Sequence, residues 1–164
     1  MRPITTVCAV AAALCALTAF PAAVQAQVAR IELHTFASTT LTDQEFLTGR
    51  KEGKPVVLAG ELRLPPGSGR FPVVVLVHGS GGVSGYVDDW AVKLNALGVA
   101  TFVFDSFTPR GIVDTREDQS QLGRLAMIID TYRALDLLAK HPRIDPARIV
   151  VMGFSRGGQA ALYA

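Results

Sequence analysis

Cysteine is nearly absent. The only thiols, Cys8 and Cys15, stand close to the start of the chain, and none follows them. The rest of the chain therefore has no disulfide framework, no thiolate metal site and no cysteine nucleophile. Charge of one sign is also scarce. Sixteen Lys and Arg against fourteen Asp and Glu leave a net +2, with no basic block. That balance excludes a nucleic-acid binder working through a general basic surface. Fifteen glycines and nine prolines, without a period, exclude collagen and a long coiled coil. No internal repeat recurs. The run Gly79-Ser80-Gly81-Gly82-Val83-Ser84 fails G-x-G-x-x-G at its last position, and no G-K-[ST] follows, so a nucleotide-phosphate cradle is excluded. No histidine pair stands at ligand spacing, so no metal and no other cofactor is expected. At 164 residues, 49% hydrophobic and 18% charged, the chain is globular and one domain at most.

The first residues read as an address. Arg2 is the one charge before Arg30. Ile4 to Phe20 is almost wholly apolar, Pro21 breaks it, and Val24-Gln25-Ala26 offers small residues for cleavage. Residues 1–26 are expected to be a secretory signal peptide cut after Ala26. Residues 27–164 would then be exported, to a periplasm or the medium, without a stable membrane anchor. The apolar core is at the short limit for a span of about 20 residues. Neither cysteine follows a small residue, as a lipoprotein cut would need. The pattern carries no signal of oligomeric state.

Beyond it, Arg30 to Ser38 reads as a first strand and Thr39 to Lys54 as loop and turn. Val56 to Leu64 alternates with period 2, a strand with one buried face. Val73 to Val77 is continuously apolar and β-branched, which suits a central parallel strand. Asp88 or Asp89 is the expected cap of a helix whose inward stripe is Trp90, Leu94 and Leu97, stopped by Gly98. Ala100 to Phe104 is another strand. Leu122, Leu125, Ile129, Tyr132 and Leu135 predict a second amphipathic helix, ended by His141-Pro142. Asp145-Pro146-Ala147-Arg148 is a capped turn, Ile149 to Met152 a buried strand, and Gly157 to Ala164 the start of a helix. An antiparallel start running into βαβ units predicts an open α/β sheet that binds ligands at the carboxyl ends of its strands.

Two glycine-rich turns fall at that edge. Gly153-Phe154-Ser155-Arg156-Gly157 is G-x-S-x-G between a strand and a helix. A serine there is thrust out on a strained backbone, and side chains at Gly153 and Gly157 would collide with neighbouring backbone. Ser155 is the expected nucleophile, with the Arg156 amide binding the oxyanion. The second amide is expected from His78-Gly79-Ser80-Gly81-Gly82, with Ser80 N–H first and Gly79 N–H second. His78 reads as a hydrogen-bonded anchor of that loop rather than the general base.

The string Asp145-Pro146-x-Arg148-Ile149-x-x-x-Gly153-x-Ser155-x-Gly157-Gly158, with the His78-Gly79 loop, resembles the α/β-hydrolase superfamily. Within it, Pro72-Val73 through Gly82, Gly98-Val99-Ala100 and the Asp105-Ser106-Phe107 corner resemble the dienelactone hydrolase family, over about Val56 to Ala164. The resemblance implies an α/β-hydrolase fold, a mostly parallel sheet with helices on both faces. Dienelactone hydrolase itself has a cysteine at the place of Ser155 and a partner carboxylate near Gly79, and neither is here. The implied activity is a serine acyl hydrolase acting on small esters, lactones or thioesters. The alternatives are a non-catalytic binding protein on the same fold and a related serine peptidase.

In that superfamily an acid and then a histidine follow the serine. Arg156 to Ala164 holds neither. The chain is therefore expected to be the N-terminal part of a longer hydrolase domain, ending after the nucleophile turn. The long loop Ser106 to Gln121 leaves a strand end near the site. Its Arg110 and Arg116 are candidate contacts for an anionic substrate group, against solvated surface charge balanced by Asp114, Glu117 and Asp118.

Overall fold

The computed structural model describes residues 28 and 30–164. The expected signal peptide, with Cys8 and Cys15, lies outside the described residues. The chain runs through β1 (Arg30–Thr40), α1 (Asp43–Leu47), β2 (Lys54–Leu64), β3 (Phe71–Val77), α2 (Gly85–Ala96), β4 (Ala100–Phe104), α3 (Ala126–Ala139), β5 (Ile144–Gly153) and α4 (Arg156–Tyr163). Two short 3₁₀ turns, Thr108–Arg110 and Gln119–Gln121, lie between β4 and α3. Among the described residues, no helix is long and apolar enough to cross a membrane.

The five strands form one sheet in the order β1-β2-β4-β3-β5. β1 and β2 pair antiparallel, as do β2 and β4, while β3 lies parallel between β4 and β5. This is the expected mixed α/β sheet with a parallel centre. The unbroken apolar run of β3 serves both faces. Val73, Val75 and Val77 join Phe102, Phe104 and the buried side of α3. Leu76, with Val74 at its side, joins Val87 and Ala91 of α2. Each fully buried Val or Leu stabilises the fold by about 1.5–3 kcal/mol, so a strand that feeds both layers belongs at the sheet's centre.

Four local readings change. The segment 39–54 is not all loop, because α1 forms inside it. Thr42 Oγ1 accepts from Glu45 N–H at 3.2 Å, and the Glu45 carboxylate accepts from Thr42 N–H at 2.9 Å. This is a capping box, spelled T-x-x-E in the sequence. α2 begins after Ser84 rather than at Asp88 or Asp89 and buries Val87, Ala91 and Asn95. Trp90 and Leu97, expected inside, are exposed. Small Ala91 lets the helix lie close on the sheet, while Trp90 leans toward Phe154, 6.5 Å between rings. Of the expected second stripe, Leu122, Leu125 and Leu135 pack in or against the core, the first two ahead of α3, while the helix centres its buried face elsewhere. It buries Met127, Asp130, Thr131, Ala134 and Leu138 and leaves Tyr132 exposed. The turn Asp145–Arg148 is a bulge within β5. Phe71 pairs with Ile144 and Val73 with Ile149, and Asp145 Oδ1 accepts from Ala147 N–H at 3.0 Å.

Candidate active site

β5 ends at Gly153 and α4 begins at Arg156, so the chain reverses over Phe154 and Ser155. Ser155 takes φ 51° and ψ −113°, the one non-glycine positive φ among the described residues. Such a conformation costs about 1–3 kcal/mol and persists only where the surroundings enforce it. The enforcement is visible. A Cβ on Gly153 would sit 2.0 Å from the Gly157 carbonyl oxygen, and one on Gly157 would sit 2.3 Å from the carbonyl oxygens of both Val77 and His78. Phe154 N–H donates to the Val77 carbonyl at 3.1 Å. Backbone packed on backbone leaves Ser155 exposed at the carboxyl edge of the sheet.

The glycine-rich loop after β3 lies directly against this turn. A Cβ on Gly79 would be 3.0 Å from the Phe154 carbonyl oxygen and 3.4 Å from Ser155 Cβ. The Gly79 amide is already engaged, donating to the Tyr86 hydroxyl at 3.0 Å. The Ser80 amide has no such partner among the described residues, and Arg156 N–H is one of the leading amides that a helix leaves unpaired. His78 is fully buried. Its Nδ1 donates to the Gly79 carbonyl at 2.8 Å and its Nε2 accepts from Ser106 N–H at 3.1 Å. Burial pushes its pKa below the ordinary histidine value, against the smaller opposing pull of the Gly79 hydrogen bond and of Asp105. Both ring nitrogens of a neutral imidazole are thus used in tying the loop to the corner after β4.

The arginines part company. Arg110, a candidate substrate contact, has its guanidinium engaged inside the fold. Its guanidinium is buried and forks onto Asp130, Nη1 to Oδ2 at 2.8 Å and Nη2 to Oδ1 at 2.9 Å, and also reaches the Ser106 carbonyl and Thr40 Oγ1. Asp130, wholly buried, further accepts from Ser38 and Ser106 hydroxyls. The pair pins the long loop to β1 and α3. Arg116 is exposed, pairs with Asp114 at 3.0 Å, and runs beside Gly81 of the glycine loop. Arg156, expected to act through its amide, also carries a buried side chain. Its Nη1 donates to the Gln119 carbonyl at 3.1 Å and to Gln119 Oε1 at 2.8 Å, and its Nη2 donates to the Leu122 carbonyl. Gln119 Nε2 donates in turn to Ser80 Oγ at 3.0 Å. Gln119 therefore ties together the side chains of Ser80 and Arg156, the two residues whose amides are the expected oxyanion donors. Gln119, Asp130 and Tyr86 were not singled out from the sequence. A buried aspartate inside a helical stripe was the one available signal, and it identifies no partner.

Among the described residues no histidine bonds Ser155 Oγ. His78 is committed to its loop, while His34 and His141 meet at Glu32, near the opposite end of β5. These two histidines, which stand at no ligand spacing in the sequence, are brought together only by the fold.

A serine on an enforced strand-to-helix turn, with amides beside it, is an arrangement suited to acyl transfer. The sequence model of the acetyl xylan esterase (AXE1) family matches residues 66–164. Esterase EstD of Thermotoga maritima is 32% identical over 108 residues, covering 61% of this chain and 25% of that protein. Among solved structures, an acetyl xylan esterase from Paenibacillus sp. R4 is 28% identical with TM-score 0.51, covering 65% of this chain and 40% of that one. A dienelactone hydrolase-like promiscuous phosphotriesterase from metagenomic libraries shares the fold at 20% identity and TM-score 0.51, covering 80% of this chain and 52% of that one. The chain thus spans about a quarter of the length of the curated relative it matches.

Proposed function

The chain belongs to the acetyl xylan esterase (AXE1) family, and from that premise we propose that it supplies the nucleophile and oxyanion site of an exported serine acyl hydrolase acting on small esters. The observation that carries this reading is Ser155, strained, exposed and set against Gly79. Ser155 Oγ attacks the ester carbonyl carbon, a C–O bond forms, and the carbonyl electron pair moves onto oxygen. The amides of Arg156 and Ser80 hold that oxyanion. The serine proton passes to a base and then to the departing alkoxide. Water repeats the steps in reverse and frees the acid. None of the three histidines is placed to take the first proton; in the superfamily this chain resembles, an acid and then a histidine that follow the serine do so. The relatives' names favour an acetyl group on a carbohydrate hydroxyl as the ester. The leader-like residues 1–26 support export.

The test is covalent labelling of the protein by a fluorophosphonate, together with hydrolysis of 4-nitrophenyl acetate. Labelling and turnover that both vanish in Ser155→Ala support the hydrolase. A protein that turns over amides and not esters is a peptidase of the same class. The uncommitted state of Ser155 Oγ gives a second reading, a binding protein on the hydrolase fold, and absence of labelling and of turnover in the wild type selects it.

A further inference from the structure

The chain has three histidines. One, His78, is buried in the glycine loop. The other two converge on a single carboxylate oxygen far from Ser155. His34 Nε2 lies 3.0 Å from Glu32 Oε2, and His141 Nε2 lies 2.9 Å from the same atom. Their rings stand edge to face, 5.4 Å between centroids. Glu32 and His34 are two apart on β1 and so point to one face of the strand. His141 comes from the turn between α3 and β5, 109 residues beyond Glu32. All three side chains are largely shielded from solvent. Three donor atoms within 4.8 Å of one another, two imidazoles and one carboxylate, make a compact facial set.

We propose that Glu32, His34 and His141 form a divalent transition-metal site of the zinc class, a structural clip between the edge strand β1 and the α3–β5 turn. Two imidazoles and one carboxylate are borderline and hard donors that suit Zn²⁺, and they leave a fourth position for water. Donors about 2.0 Å from a tetrahedral ion stand about 3.3 Å apart. The carboxylate–imidazole distances of 2.9 and 3.0 Å need only a few tenths of an ångström of expansion. Glu32 Oε1 stays with Arg30 Nε at 2.8 Å, which orients the carboxylate from behind while its charge opposes the ion. Binding requires His141 to hold its remaining proton on Nδ1. That nitrogen now accepts from Arg143 N–H at 3.2 Å, and this contact is given up. Affinity is therefore moderate. The position also assigns the role. His141 lies just before the amino end of β5 and Ser155 just after its carboxyl end, so the ion would hold the fold and take no part in ester chemistry.

The experiment is calorimetric titration of untagged, metal-stripped chain with ZnCl₂, in a Cys8→Ser/Cys15→Ser background that removes thiol ligands. The expected result is one Zn²⁺ per chain and a rise in Tm on loading. His34→Gln and His141→Gln should each weaken binding by at least about tenfold, while Arg30→Ala should tighten it by lifting the opposing charge. Circular dichroism of each variant in EDTA checks that it is folded. Co²⁺ loading adds a second readout, visible bands of a four- or five-coordinate ion that disappear in His34→Gln. No zinc uptake by the folded wild type would overturn the proposal. So would uptake unchanged in both histidine variants, since hydrogen bonds alone would then account for the cluster.

Discussion

The turn Gly153–Gly158 and the loop Ser106–Gln121 meet at the same edge of the sheet, but different forces hold them. The turn is kept in place by volume. Glycines at two positions let three stretches of backbone touch, and the strain at Ser155 is maintained by contacts that no charge mediates. The loop is kept in place by side chains that reach far along the sequence, Arg110 to Asp130 and Gln119 to Ser80 and Arg156. A steric constraint is local and tolerates almost no substitution at the contact. A buried ionic constraint depends on its partner remaining. The loop should therefore fail as a pair and the turn one atom at a time.

Asp130→Ala should show the largest effect. It leaves the buried Arg110 guanidinium without its forked partner, and removal of one member of a buried pair costs about 3–5 kcal/mol. Thermal unfolding of the chain should record that loss, and Arg110→Met/Asp130→Leu should recover most of it. A single-variant loss close to that of a surface substitution would erase the distinction between the two regions. Gly157→Ala comes next. Its new Cβ meets two carbonyl oxygens at 2.3 Å, neither on a flexible side chain, and overpacking of this kind costs about 1–3 kcal/mol. Gly158→Ala is the contrast, since its nearest neighbour is the Gly153 carbonyl oxygen at 3.3 Å. Equal Tm changes in the two variants would mean that the turn is not held by contact at Gly157.

The same division explains how much of the fold is legible in the residues. β3 and β4 are readable because burial on both faces demands an unbroken apolar run, and the Gly153–Gly158 turn because sterics confine its glycines to a fixed spacing. The inward faces of α2 and α3 are legible only in part, through Leu94 and Leu135. Hydrophobic periodicity favours Trp90 and Tyr132 as core, whereas packing selected Ala91 and the Arg110 ion pair selected Asp130. Arg110 reads as a candidate anion contact or as solvated surface charge because its partner is 20 residues away in another element. Glu32, His34 and His141 cannot be grouped from the sequence, since only the packing of α3 on β1 brings the α3–β5 turn to that strand. The helix α1 was legible in principle, for Thr42 and Glu45 spell its cap.

Gln119 joins the two regions, and its replacement gives the smallest effect on stability and the most selective effect on activity. Its side-chain oxygen takes a hydrogen bond from Arg156 and its nitrogen gives one to Ser80, so one amide group spaces both halves of the proposed oxyanion site. Gln119→Ala should leave the fold and KM for a small ester nearly unchanged. It should lower kcat by about tenfold, because misplaced donors weaken transition-state binding more than substrate binding. Gln119→Glu still accepts from Arg156 and from the Ser80 hydroxyl but loses the hydrogen bond its nitrogen gives to Ser80, and should fall between wild type and Ala. A matching loss of Tm and kcat across the series would make Gln119 only a loop fastener. A kcat loss at constant Tm would mean that the charge-held loop sets the geometry of the sterically held turn.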